Sequence, residues 1–323
     1  MTQDIYKVII ATESSSRGKK TETFNALCKT YSLPRSTAKK FLILYQTAQK
    51  SNNEKIKALF WKAMNKELSV YNAYRLAKQE LNNALKESIK SKEDLTDEEI
   101  LIKHDIKIQP YNVWIFNTCN SNFGARYPGR IPGQIVIHTL YFFTEQGDLV
   151  IDPMAGSGTV IDCAQLMKRQ AIGYDINPTR NDIIKRDILT ELFPEQVAEG
   201  KLIFWDPPYY KKMDKYYGTS SISKLSKKEY LEFFDKAAND LKNKRFNGYL
   251  AFLCSDYNDE KSPEENIFIW DYVSIFNKHG FMPIHHIHVP LTSQIIHPDI
   301  VIKFRKQKRL ARLSRSLVVF KVI

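Results

Sequence analysis

The chain has 323 residues, 43% of them hydrophobic, enough for one large or two modest domains, and it holds no apolar run near the ~20 residues that cross a bilayer. Its net charge of +12 is uneven: residues 1–90 carry 17 Lys/Arg against 7 Asp/Glu, residues 301–323 carry 8 against none, and the middle is net acidic, the balance expected where basic flanks hold a polyanion. The 4 cysteines, at positions 28, 119, 163 and 254, form no CxxC pair, and the N-terminus lacks a secretory pattern, so the expectation is a reduced, cytoplasmic protein with no membrane segment, structural metal or disulfide framework.

Residues 1–20 end in a Ser- and Lys-rich stretch that reads as a turn or arm. Phe24, Leu27 and Cys28 then mark a short helix, broken at Tyr31-Ser32-Leu33-Pro34. Arg35-Ser36-Thr37 opens a second helix whose apolar face is Ala38, Phe41, Leu42, Tyr45 and Ala48. Arg35, Ser36, Lys39 and Lys40 lie at its start, away from that stripe, where a recognition helix presents polar and basic groups to DNA. Two more helical stripes follow, Ile56 to Ala63 and Val70 to Ala84. The "Leu-Pro-Arg-Ser-Thr" turn resembles the helical DNA-binding region of ParB-like partition proteins, and a plain packing bundle is the alternative. These readings place a small all-α helix-turn-helix domain at 1–90 and a charged segment at 91–107 that reads as a linker or an exposed helix.

From 108 to 323 short apolar runs alternate with helical patterns: strands are predicted at 149–152, 171–175, 183–188, 202–206, 249–253, 284–289 and 317–322, with helices at 135–144, 159–168 and 226–243 between them. That alternation predicts an α/β, Rossmann-like sheet with ligands at the carboxyl ends of its strands. The first strand runs into Asp152-Pro153-Met154-Ala155-Gly156-Ser157-Gly158-Thr159. Glycines let backbone pass close to a ligand, and the helix that follows offers unpaired N–H groups. Asp175, with Ile176 behind it, ends the next strand, where a carboxylate accepts from ribose hydroxyls. No Lys-Ser/Thr follows the glycines, so the turn is not a phosphate-binding P-loop. An acid inside it, Asp152, favours a cationic ligand, and S-adenosylmethionine combines a sulfonium, an amino group and a ribose.

The apolar run Leu202 to Trp205 ends in Asp206-Pro207-Pro208-Tyr209. Two prolines do not belong inside a strand, but at a strand end they fix backbone and leave carbonyls free to accept. An acid and a fixed carbonyl suit the amino group of a planar base, and Tyr209 offers a stacking face worth ~1–3 kcal/mol. The loop at 152–159, the run Gly173 to Pro178 and this tetrapeptide together resemble the amino-group DNA methyltransferases, across about residues 108–323. The resemblance implies a class I S-adenosylmethionine-dependent methyltransferase sheet, methyl transfer to adenine N6 or cytosine N4 of a flipped base in double-stranded DNA, Asp187 near the cofactor adenine, and the segment Pro128 to Gln134 over its methionine end. In that family Asp at the first tetrapeptide position leans to adenine, while an RNA base amine is a further alternative. From a different class, a DNA-binding regulator with a vestigial methyltransferase half is disfavoured by the intact Asp206 and glycine loop.

Tyr210, Lys211 and Lys212 interleave an aromatic ring with charge and are expected to meet nucleic acid. With no separate recognition domain after the tetrapeptide, the N-terminal helices and the 210–225 loop are expected to choose the site, with a homodimer as one arrangement. His285, His286 and His288 do not read as a metal site, because strand alternation sends His285 to the opposite face. The basic run Lys303 to Arg315 reads either as a phosphate-binding helix or as a solvated face.

Overall fold

The computed structural model describes all residues except 1, 15–18, 91, 117–118, 126–128, 212–220, 260, 291–297, 309 and 311–313. The chain divides into two compact units, 1–103 and 104–323.

The first unit is helical: α1 Thr2–Ser14, α2 Lys20–Thr30, α3 Arg35–Lys50, α4 Glu54–Met64, α5 Val70–Lys90 and α6 Asp97–Lys103. Its core gathers the apolar stripes of α2 to α5, with Phe41 fully buried and its ring centre 5.6 Å from that of Phe60, tilted against it. Burial of one such ring stabilises by roughly 1.5–3 kcal/mol. Two elements differ from the sequence expectation. Residues 2–14 form a helix rather than an arm, because Val8 and Ile9 bury fully in this core. The expected linker holds α6, whose Ile100 and Leu101 are buried. Thr96 and Glu99 start that helix with a reciprocal cap: Thr96 N donates to Glu99 Oε2 at 2.9 Å and Glu99 N to Thr96 Oγ1 at 3.3 Å.

The second unit runs α7 Gly133–Phe143, β1 Leu149–Asp152, α8 Thr159–Leu166, β2 Gln170–Asp175, β3 Ile183–Lys185, α9 Ile188–Glu191, β4 Leu202–Trp205, α10 Lys227–Asn243, β5 Tyr249–Cys254, α11 Ile269–Lys278, β6 Phe281–Pro290, α12 Pro298–Lys306 and β7 Ser314–Val322. The strands make one sheet in the order β3-β2-β1-β4-β5-β7-β6. β1 to β5 are parallel, and β7 runs antiparallel between β5 and β6. The chain leaves β1 toward β2 and β3, then returns to β4 on the other side. The crevice at the carboxyl ends of β1 and β4 is therefore the topological switch point. The last residues of β1 and β4 are Asp152 and Trp205, so the glycine turn and the Asp-Pro-Pro-Tyr turn leave the sheet side by side.

Trp205 fixes where β4 ends. It is fully buried, with Phe193 at 5.5 Å, Phe234 at 5.3 Å and Phe252 at 5.7 Å between ring centroids. A capping box on Ser226 and Glu229 starts α10, which supplies Phe233 and Phe234 to the same cluster. On β6 the rings of His286 and His288 lie 4.4 Å apart on one face, while His285 turns to Phe143 on the other, as alternation requires.

Candidate active site

At the switch point lies a cavity of about 480 Å³, within the ~300–1,000 Å³ of small-molecule sites. The glycine turn from Asp152 to Ser157, with Thr159, makes its floor, and Asp175, Ile176, Asp187 and Asp206 stand around it. Gly158 does not line the cavity; it is the N-cap of α8, at φ +83, and a Cβ there would sit 2.5 Å from Arg180 Nη1. The left-handed backbone favours glycine, and a Cβ would also displace the Arg180 head group.

Asp175 holds the turn and faces the cavity. Its Oδ2 accepts from Gly156 N at 2.9 Å and its Oδ1 from Asn177 N at 2.8 Å, and each oxygen keeps a lone pair for a further donor. Asp187 caps α9, accepting from Leu189 N at 3.0 Å, and brings Ile188 and Leu189 to the wall as an apolar surface. Asp152 is 4% exposed and accepts from Met154 N at 3.1 Å. Burial, then the charges of Asp206 and Asp175, push its carboxyl well above the usual range. Burial also pushes Asp206 up to about 6, against the opposing pull of Arg315 and of the Tyr209 hydroxyl, which donates to Asp206 Oδ1 at 2.8 Å. Tyr209 itself is raised far above the usual tyrosine range by its burial and by Asp206, so it remains a donor.

This donor set fits S-adenosylmethionine. Asp175 suits the ribose hydroxyls, the apolar wall from Ile188 and Leu189 suits the adenine, and the buried acid Asp152 favours the cationic end of the ligand over a pyrophosphate.

The structure corrects two expectations, at Tyr210 and at Gln134. Tyr210 is not a nucleic-acid contact: it is 1% exposed, packed on Tyr230 and Tyr257, and its hydroxyl donates to Glu265. Lys211 is tied beside it, bonded to Glu265 at 2.8 Å, with its ammonium 5.0 Å from the Tyr210 ring centre. Lys212 and most of the 210–225 loop lie outside the described residues. Gln134 is not at the cavity. From its segment Gly129, Arg130 and Ile131 reach it, while Gln134 lies in the first turn of α7 with its side-chain oxygen buried and unpartnered. Arg35, Ser36 and Lys39 are exposed at the start of α3, and Lys40 lies 5.4 Å over the Tyr71 ring.

Asp162, Arg180 and Arg315 carried no motif, and Arg130 stands within the expected Pro128 to Gln134 segment. Asp162 on α8 accepts from Gly124 N and pairs with Arg180 at 2.8 Å. Arg130 donates to the Gly124 carbonyl at 2.8 Å. Arg315, read only as part of a basic run, is buried, and its charge opposes the rise of the Asp206 carboxyl. An i+3 acid after a glycine turn was the one local hint, for Asp162.

Fold and site together define a class I S-adenosylmethionine-dependent methyltransferase. Residues 8–186 match the model of the N6/N4 methyltransferase family described as DNA methylase, a span that holds the glycine turn and Asp175 and stops before Asp206. The chain belongs to that family, and its cofactor is S-adenosylmethionine. Over 85 residues it is 32% identical to the Type II methyltransferase M.HpaI of Haemophilus parainfluenzae, covering 25% of this chain and 27% of that protein. Over 64 residues it is 36% identical to the Type II methyltransferase M.MjaI of Methanocaldococcus jannaschii, covering 20% of each. The matched stretches thus span about a quarter or less of these relatives' own lengths. A TehB-like S-adenosylmethionine-dependent methyltransferase structure from Corynebacterium glutamicum aligns at a TM-score of 0.37 and 10% identity, over 61% of this chain and 90% of that one.

Proposed function

We propose that the protein methylates the exocyclic amine of a base flipped out of double-stranded DNA, adenine N6 first and cytosine N4 as the alternative. The observation that carries this reading is Asp206 with its Pro-Pro-Tyr turn, held at the end of β4 and opening on the cofactor cavity. An exocyclic amine is a weak nucleophile because its lone pair is shared with the ring. Two fixed acceptors that take its two hydrogens return that lone pair to nitrogen, at no reorganisation cost during reaction. Asp206 has one oxygen engaged by Tyr209 and the other for the amine. The Pro207 carbonyl, on a backbone fixed by the two prolines, is the second acceptor, and the Tyr230 hydroxyl holds the neighbouring Pro208 carbonyl at 3.1 Å.

S-adenosylmethionine supplies an activated methyl group. The chain's own part is to orient the amine along the line of transfer and to hold water out. Asp206, near pKa 6, accepts from the amine as a carboxylate and then takes the proton that the methylated nitrogen sheds. Tyr209, its hydroxyl pinned to Asp206, presents its ring for stacking. A base paired in a duplex cannot enter such a turn, so extrusion of the base is part of the reaction. Asp at the first position of the tetrapeptide supports adenine.

The basic, exposed start of α3 supports DNA recognition by the first unit, in the manner of a ParB-like helix-turn-helix. The β6–β7 connection of the second unit is a separate candidate contact with DNA phosphates. By topology it emerges at the catalytic edge of the sheet, and α12 on it carries Lys303, Arg305 and Lys306 in its last turn.

Incubation of the protein with S-adenosylmethionine and duplex DNA, followed by mass spectrometry of the nucleosides, is expected to yield N6-methyladenine. N4-methylcytosine would reassign the base, methylation confined to RNA would reassign the substrate, and methylation that survives Asp206→Ala would contradict the mechanism.

A further inference from the structure

Alternation along the central strands sorts the side chains at the catalytic edge. Trp205, Phe252, Cys254, Val318 and Phe320 all point into one aromatic core. Their neighbours Asp206, Leu253, Leu317 and Arg315 therefore share the opposite face, and so does Asp152, since Ile151 belongs to that core. Arg315 stands at the start of β7, opposite Val289 of β6 and one step beyond the Cys254–Ser316 pair of β5. It lies two strands from Asp206, ~10 Å across the sheet, a gap that a long side chain closes.

Arg315 is 8% exposed, and its Nε is buried with no hydrogen-bond partner. A buried guanidinium donor left unmade costs about 1–3 kcal/mol or more. Nothing in the packing of β7 requires an arginine there: Leu317 and Val319 fill the same face with apolar side chains. Among the described residues the groups coupled electrostatically to Asp206 are the carboxyl of Asp152 at the end of β1, the hydroxyl of Tyr209 on its own turn, the hydroxyl of Tyr230 on α10 and the guanidinium of Arg315. The Cys254 thiol of β5 faces Tyr209 and Tyr230. Arg315 supplies the single positive charge in that set. Two acids side by side in a closed site do not both ionise without a compensating cation.

We propose that Arg315 is a positioning residue for methyl transfer: its guanidinium, buried on the face it shares with Asp206, keeps that side chain a carboxylate and aims it at the base amine. The inference rests on the reading of Asp206 as the amine acceptor. When the amine enters, the unpartnered donor of Arg315 is the group able to lock the direction of the carboxylate. Without the guanidinium, Asp206 takes up its proton at higher pH and presents a hydroxyl where an acceptor is needed.

The test is the pH dependence of kcat/KM for methyl transfer to DNA by the wild-type protein, Arg315→Lys and Arg315→Met. The acid limb is expected to move up by about one pH unit or more in Arg315→Met, with activity recovering at alkaline pH, and to stay near the wild-type limb in Arg315→Lys. An Arg315→Met profile lowered by the same factor at every pH, or an unshifted limb, would overturn the proposal. S-adenosylmethionine binding, at a cavity Arg315 does not line, reports the folding of each variant, and Arg315→Gln takes the place of Arg315→Met if the latter does not bind. A wild-type protein that methylates no base defeats the reaction itself, whereas an active wild type with an unshifted variant defeats only the role of Arg315.

Discussion

Replacing Asp206 by asparagine removes one buried charge while keeping the shape of the side chain. The folded protein holds this carboxyl at about pKa 6, against ~3.9 for an aspartate in an unfolded chain. A gap of about two units corresponds to about 3 kcal/mol. Because the folded value is the higher one, the carboxyl's favourable contribution is complete below the unfolded value and is lost as pH rises through about 6. Asparagine does not titrate. The variant is therefore expected to gain on the wild type by about 3 kcal/mol between roughly pH 4 and pH 8, with most of the change centred near 5 and little above 7. Asp152 titrates in both proteins and largely cancels. Urea unfolding of both proteins across this range, read on the buried Trp205 beside the substitution, measures the difference directly. A difference that is flat with pH, or that shrinks as pH rises, would refute the account of Asp206 as a strained buried acid. The same variant is expected to bind S-adenosylmethionine and to transfer no methyl group.

Gly158→Ala is expected to cost about 1–3 kcal/mol and to weaken cofactor binding in calorimetry, because it strains a left-handed backbone and meets Arg180; adding Arg180→Ala restores only the steric part. Tyr210→Ala should lower stability by about 3–5 kcal/mol, whereas Tyr209→Ala, at a half-buried ring one position away, should lower it by less and cut kcat/KM more; equal effects on both readouts would contradict the separation of a core ring from a stacking ring. Lys39→Glu is expected to reduce the slope of DNA affinity against salt by about one or more in filter binding without altering the methylated base, and an unchanged slope would remove α3 from the DNA interface.

That the glycine turn, Asp175 and Asp206 stand around one cavity could be expected from sequence, because each is marked by a few adjacent residues at a strand end. Elements that depend on partners far along the chain were less visible. Residues 2–14 carry a weak apolar face, Val8, Ile9 and Thr12, and their helix is explained by the core they meet. Residues 97–103 did carry a signal, the Thr96 and Glu99 spacing, obscured by the charge around it. Tyr210 looked like a surface ring because lysines follow it, while Glu265, 55 positions away, supplies the partner that buries it. Arg315 looked like one more charge in a basic tail, and only the register of β7 against β5 turns it toward Asp206.

Asp162 joins three stretches that are remote in sequence: its carboxylate takes the Gly124 amide, 38 positions earlier, and the Arg180 guanidinium, whose Nη1 also reaches the Ser157 carbonyl at 3.4 Å. The approach to α7, the glycine turn and the β2–β3 connection are thus fastened at a single acid. Such segments open to solvent together or not at all. In amide hydrogen exchange Gly124 and Gly156 should behave as one cooperative unit whose protection rises when the cofactor cavity is filled, so the cavity has a shared latch rather than three independent walls.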